Sequence, residues 1–207
     1  VPEPAKEQPL TLSGVKTFLF KRKNMWMLLA TVLYAGSQAG FLVWIVRYMT
    51  LQYHAETLGT LALSLYWVFG TLSRFFAPRL KIRPLVLYLL GVLLTFVFQT
   101  IGVLSGSAIV MCVMGGVIGL VSGHCVPMIL SEASSDNPGN SSLIASSFLV
   151  CIFATNSVSP LLMGTLASLF GLNVMMLAPA VCALLAALVV LVVLREDRVE
   201  RAALLAE

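Results

Sequence analysis

The stretch GLVSGHCVPMILSE, Gly119 to Glu132, sets a histidine beside a cysteine in a run of apolar and small residues. An imidazole in such a place can ligate a metal, carry a proton near neutral pH, contact a solute or hydrogen-bond a neighbouring helix. Metal binding is disfavoured by the company His124 keeps. The other histidine is His54, and Cys112, Cys125, Cys151 and Cys182 sit in apolar segments without CxxC spacing, so neither a zinc site nor a disulfide framework is expected. There is also no Ser/His/Asp grouping and no phosphate loop. An enzyme is therefore not expected, and no cofactor is implied.

The backbone of the same stretch carries a second kind of chemistry. Pro127 has no N–H, so in a helix the Gly123 carbonyl four residues earlier loses its donor. Gly115, Gly119 and Gly123 allow a neighbouring backbone to come close. His124 shares a helical face with Val117, Val121, Met128 and Ser131, and the stretch reads as a bendable helix carrying one titratable side chain. For His124 itself the sequence leaves three roles open: a structural interhelical bond, a substrate or gate contact, and proton coupling.

Other polar side chains recur at helical spacing inside apolar segments. Thr31, Tyr34, Gln38, Phe41, Ile45 and Tyr48 fall on one face, with Gly36, Gly40 and Arg47 on the other. Tyr34 can stack on or bond a solute, and the Gln38 amide can either serve a solute's hydroxyls or bond a neighbouring helix. Thr60, Ser64, Trp67, Thr71 and Arg74 make a second stripe, with Trp67 away from the interfacial belts where Trp concentrates. Ser142, Leu149, Phe153 and Asn156 make a third, and Pro160 leaves the Asn156 carbonyl without its helical donor. Tyr34, Gln38, Ser64, Trp67, Thr71 and Asn156 are thus candidates for a solute pathway. Gly36, Gly40, Gly119, Gly123, Pro127, His124 and Arg74 are candidates for gating or coupling.

Six apolar segments must position these residues, at about 25–48, 57–77, 85–104, 108–130, 142–169 and 174–194, each near the roughly 20 residues needed to cross a bilayer. Of the 207 residues, 59% are hydrophobic and 11% charged, against roughly 25% charged in an ordinary soluble domain. An all-α membrane protein is expected. The third and sixth segments, apolar nearly all round apart from Thr95 and Gln99, read as outer, lipid-facing supports.

Lys6, Lys16, Lys21, Arg22, Lys23, Arg74, Arg79, Lys81, Arg83, Arg195, Arg198 and Arg201 gather at alternate connections. Positive charge near helix ends is retained on the cytoplasmic side, which predicts a multi-pass protein of the plasma (bacterial inner) membrane with both termini cytoplasmic. The net charge of +4 is then a topology signal and not one for nucleic acid. Arg47 alone lies toward the other side, snorkelling near Glu56 or touching an outer gate. Residues 1–24 read as a cytoplasmic linker with an interfacial segment, LTLSGVKTFLFKRKN, and 195–207 as a cytoplasmic tail. The Pro/Glu/Lys/Gln start suggests a preceding half.

Two echoes suggest an internal repeat: GSQAG (36–40) with GLVSG (119–123), and GTLSRFF (from Gly70) with GTLASLF (from Gly164). Three helices apart, such units have opposite topology, as in many transporters. Together with the basic loop G70TLSRFFAPRLKIR83 and the Pro and Gly pattern of S159PLLMGTLASLFG171, the chain from about Gln8 resembles the C-terminal six-helix half of a major facilitator superfamily transporter. Y34AGSQAGFLVWIVRYM49 with L63SLYWVFGTLSRF75 is most similar to the fucose, galactose and glucose symporter group of bacterial permeases. Gln38 stands where that group often has an acidic residue, and Ser73 where it has Gly. The resemblance implies two inverted three-helix repeats, an N-terminal six-helix half as partner, symport coupled to H+ or Na+, and Arg74 in a charge network that latches an inner gate. No Asp or Glu lies well inside the six windows, so proton coupling would use the other half or His124.

The expectation is secondary active transport of a small polar, sugar-like solute by alternating access, with small-molecule substrate and membrane lipid as partners. An exporter of drugs or lipophilic compounds on the same fold, and a non-transporting membrane scaffold subunit, are the alternatives.

Overall fold

The computed structural model describes residues 21–136 and 140–204, with side chains described through Asp197. The expected linker, before residue 21, and the end of the tail lie outside the described residues. Among those described there is no strand. The helices are α1 (Arg22–Tyr53), α2 (Glu56–Phe76), α3 (Pro84–Leu104), α4 (Ala108–Ser122), α5 (Cys125–Ser135), α6 (Ser141–Phe170) and α7 (Leu172–Leu204), with a 3-10 turn at Ala77–Arg79 after α2. The helices outrun the apolar windows where their ends carry charge: α1 begins within the expected linker, and α7 continues into the expected tail.

Five spans are long and apolar enough to cross a membrane: Arg22–Tyr53, Pro84–Leu104, Ala108–Ser135, Ser141–Phe170 and Leu172–Asp197. The expected sixth, Glu56–Phe76, has the length at 21 residues. Its Thr60, Ser64, Thr71 and Arg74 make it less apolar than the others.

The fourth span is interrupted where the Gly and Pro pattern predicts. α4 stops at Ser122, Gly123 and His124 form a turn, and α5 starts at Cys125. The ladder resumes at once, since the Met128 N–H donates to the His124 carbonyl at 3.1 Å.

α2 lies parallel to α4 at a constant sequence offset, and the contact is backbone on backbone. A Cβ on Gly115 would come 3.1 Å from the Ala62 Cβ, one on Gly119 2.7 Å from the Tyr66 Cα, and one on Gly123 2.6 Å from the Gly70 Cα. Glycine at every fourth position on α4 therefore fixes both the separation and the register of the two helices. Gly36 and Gly40 on α1 face side chains instead, Thr155 and Ser159 for the first, Met163 and the Pro179 ring for the second.

Elsewhere α1 packs chiefly along α7 and α6, and α3 along α4, α5 and α7. One core cluster joins Met27, Ala30 and Tyr34 of α1, Tyr88 and Val92 of α3, Cys125 and Ile129 of α5, and Ala183, Ala186 and Ala187 of α7. A second joins Phe41, Ile45 and Tyr48 with Tyr66, Met111, Ile118 and Met175. The third and sixth segments pack by one face and keep the other exposed, through Leu90, Leu94, Val97 and Ile101 on α3 and Val181, Leu185 and Leu188 on α7. Thr95 and Gln99 are fully buried, and the Gln99 amide donates to the Met176 carbonyl at 3.2 Å. Apolar residues all round do not say which face a neighbour covers. The least covered helix is α6, which leaves Val150, Phe153, Leu161, Leu162 and Leu169 exposed, while α2 leaves Trp67, Val68, Phe75 and Phe76 exposed.

The asymmetry of the α2/α4 contact is testable. A Cβ on Gly70 meets nothing closer than 3.6 Å, so Gly70→Ala should unfold thermally in detergent like the wild type. Gly119→Val, which must push the α2 backbone away, should lose on the order of 3 kcal/mol. Equal melting temperatures would contradict this packing.

Candidate functional site

A cavity of about 140 Å³ lies at the level of the break in the fourth span. It is lined from α1 by Tyr34, Ala35, Gln38 and Leu42, from α2 by Tyr66, Trp67 and Arg74, from the break by Ser122 and Gly123, and from α5 and α6 by Val126, Ile152 and Asn156. Four expected pathway residues, Tyr34, Gln38, Trp67 and Asn156, therefore meet in one place, with the expected gating residues Arg74 and Gly123.

Two expected pathway residues do not meet them. The Ser64 hydroxyl donates to the Thr60 carbonyl and that of Thr71 to the Trp67 carbonyl, both at 2.9 Å. A hydroxyl four residues after a carbonyl on its own helix satisfies itself there, so a shared helical stripe does not make a shared lining. The α1 stripe divides likewise. Thr31 bonds back to the Met27 carbonyl at 2.8 Å, and Phe41, Ile45 and Tyr48 are core.

At the break, two carbonyls are matched by side chains. The Gly123 carbonyl, which Pro127 leaves without a helical donor, accepts the Arg74 Nε at 2.9 Å. Its neighbour, the Ser122 carbonyl, accepts the Tyr34 hydroxyl at 2.6 Å. The Tyr66 hydroxyl donates to Gln38 Oε1, and its ring stands edge-on to Trp67 with centroids 5.5 Å apart. Buried polar groups deprived of a partner are costly, so these side chains hold α1, α2 and the break together.

His124 is buried, with Nδ1 2.8 Å from the Ser73 hydroxyl and Nε2 3.2 Å from the Leu87 carbonyl. A carbonyl only accepts, so Nε2 carries the proton and donates to it, leaving Nδ1 of a neutral ring to accept from Ser73. Of the roles the sequence left open, the interhelical bond is present: the ring ties α2 and α3 to the break. It lies beside the cavity wall and does not line it. Gly91 gives it room, because a Cβ there would stand 3.2 Å from Nε2.

A charge network is present at the helix ends, but Arg74, expected to belong to one, is not in it. Arg83 pairs with Glu132 and Asp197, its Nε 3.0 Å from Glu132. Lys23 lies 2.6 Å from Asp136 and 2.8 Å from Asp197, and Arg22 2.8 Å from Glu196. Arg74 instead points along α2 to the break, because the α2/α4 contact puts it beside Gly123. Burial works against the Arg83 charge, yet the bonds to Asp197 and Glu132 outweigh it and raise its pKa. Both carboxylates are nearly enclosed, with Asp197 6% and Glu132 7% exposed. They fall just outside the apolar windows 108–130 and 174–194, and their one signal in the sequence is an acidic residue in the first turn past each window. Arg47 pairs with the Trp44 ring, 5.6 Å from its centroid, and not with Glu56.

Sequence reasoning also missed Tyr66, which reads as one more apolar residue, and the Ser122 and Gly123 carbonyls as groups to be bonded by side chains. Gly36 belongs to a different space. With Val32, Leu33, Thr155, Val158 and Leu162 it lines an apolar cavity of about 420 Å³ between α1, α6 and α7. Among the described residues no group of three or more His, Cys, Asp or Glu could hold a metal.

No protein-family model matches the chain, and no curated protein matches it.

If Arg74 serves the carbonyl that Pro127 frees, the two residues must be coupled. Arg74→Leu should cost about 1–3 kcal/mol by orphaning that acceptor. In a Pro127→Ala background, where the backbone N–H returns, the same change should cost less. Thermal unfolding of the four proteins in detergent measures the cycle, and strictly additive losses would break the link.

Proposed function

We propose that the chain is one half of an alternating-access secondary transporter for a small polar solute, built as the C-terminal six-helix half of a major facilitator superfamily carrier. The observation that carries this reading is the cavity beside the helix break. Helices α1, α2 and α6 converge so that Tyr34, Gln38, Trp67, Arg74 and Asn156 meet beside a broken helix. Polar and aromatic side chains gathered at a helix break inside an apolar bundle are the features of a solute site in carriers of this kind. In this reading Glu56–Phe76 is also a span, the second in chain order, its polarity reflecting the site it lines.

The packing supports a repeat. The first span packs on the sixth and the fourth on the third; the second packs on the fourth and the fifth on the first. Exchanging spans one, two and three with four, five and six reproduces that pattern, as two inverted three-helix units require. The exposed apolar faces of α2 and α6 are where a second six-helix half packs, closing the cavity from the other side. Rocking of the two halves, with bending at Gly123 and His124, then alternates access. Both termini and the Arg83 network face the cytoplasm of a cell with this carrier in its plasma membrane, and coupling to H+ or Na+ draws on the second half.

Solute uptake into vesicles containing the complete chain tests the reading. Gln38→Ala and Trp67→Ala should each lower uptake about tenfold, as expected for one lost contact of about 1.4 kcal/mol. Wild-type rates in both variants would remove this cavity from the pathway.

A further inference from the structure

The cavity has an uneven balance of hydrogen-bonding groups. Three of its neutral acceptors are taken, while the Asn156 carboxamide keeps both its oxygen and its nitrogen without a partner among the described residues. Gln38 Oε1 accepts the Tyr66 hydroxyl, the Ser122 carbonyl accepts the Tyr34 hydroxyl, and the Gly123 carbonyl accepts the Arg74 Nε. What is left over is mostly donors. Arg74 has used only Nε, so both of its terminal nitrogens are without an acceptor among the described residues. The same holds for the Gln38 carboxamide nitrogen and the Trp67 indole N–H.

The charge balance is equally one-sided. Arg74 is the one charged residue among those lining the cavity, and no carboxylate lines it. The carboxylates Glu132, Asp136, Glu196 and Asp197 are paired with Arg22, Lys23 and Arg83. Arg74 is exposed toward the cavity, and its terminal nitrogens form a planar fork that fits two carboxylate oxygens.

Resting on the transport reading above, we infer that the solute is a small organic carboxylate whose anionic group is bound by the Arg74 fork. The Gln38 amide donates to the same group or to a neighbouring hydroxyl. Leu42, Val126, Ile152 and the rings of Tyr66 and Trp67 enclose the carbon body. A volume of about 140 Å³ is about five times a water's share of the liquid. This half therefore holds a carboxylate and a short carbon stem, with any longer body reaching the facing half.

Matched acids and neutral partners test this: acetate with acetamide, lactate with lactamide, and gluconate with glucose. Binding is measured on the complete chain in phosphatidylcholine vesicles by equilibrium dialysis with labelled probes. At least one carboxylate should bind about tenfold or more tightly than its partner, as expected for a charge-assisted contact. Arg74→Gln made together with Pro127→Ala, so that the Gly123 carbonyl keeps a donor, should abolish that preference while the protein stays folded.

Amides or glucose binding as tightly as the acids would overturn the inference, as would failure of every carboxylate to bind. So would an unchanged preference in the double variant. Loss of carboxylate binding on adding phosphatidylglycerol would also overturn it, assigning the fork to a lipid phosphate. Uptake of a neutral solute with no carboxylate binding would sink the inference and leave the transport reading standing. Carboxylate binding without uptake would do the reverse.

Discussion

A carbonyl inside a membrane bundle must find a donor, and the Gly123 carbonyl cannot find one on its own helix because Pro127 has no N–H. The central part of the structure answers that single deficiency. The fourth span opens at Gly123 and His124, Arg74 crosses from α2 to fill the empty position, and Tyr34 crosses from α1 to the adjoining carbonyl. The side chains that satisfy the break thereby become walls of a cavity. A proline in a different register would leave Arg74 no acceptor there.

Arg74 can serve because α2 and α4 touch through their backbones. Gly119 and Gly123 lie against Tyr66 and Gly70 with no room for a Cβ, which sets the residues one turn further along α2 beside the break. Ser73 then meets His124, and Arg74 meets Gly123. Ser73 supplies the hydroxyl that donates to the imidazole. The histidine therefore works as a three-way tie between α2, α3 and the break.

Much of this was legible from residue types alone. Gly115, Gly119, Gly123 and Pro127 announce close approach and a break because those properties belong to the backbone, which needs no partner to express them. Tyr34, Gln38, Trp67 and Asn156 could be picked out because polar and aromatic groups are conspicuous in apolar segments. Ser64 and Thr71 were equally conspicuous but bond back to their own helix, an outcome that helical periodicity cannot separate from a shared lining. Tyr66 stayed hidden, because a tyrosine in an apolar segment reveals its hydroxyl's purpose only when Gln38 is seen opposite it. Arg74 was expected among acidic partners, yet the carboxylates were already engaged by Arg83 and Lys23.

The sequence by itself determined that this is a helical chain with segments apolar enough to span a membrane, roughly where those segments lie, and where the fourth can bend. Those properties follow from hydropathy, glycine and proline, each local and each acting through the chain's own backbone or through transfer from water. Which side chains face one another across helices was decided only in the tertiary structure. Partner choice depends on helix register and crossing, and these are set by close contacts such as that between α2 and α4, where one missing Cβ moves every residue beyond it.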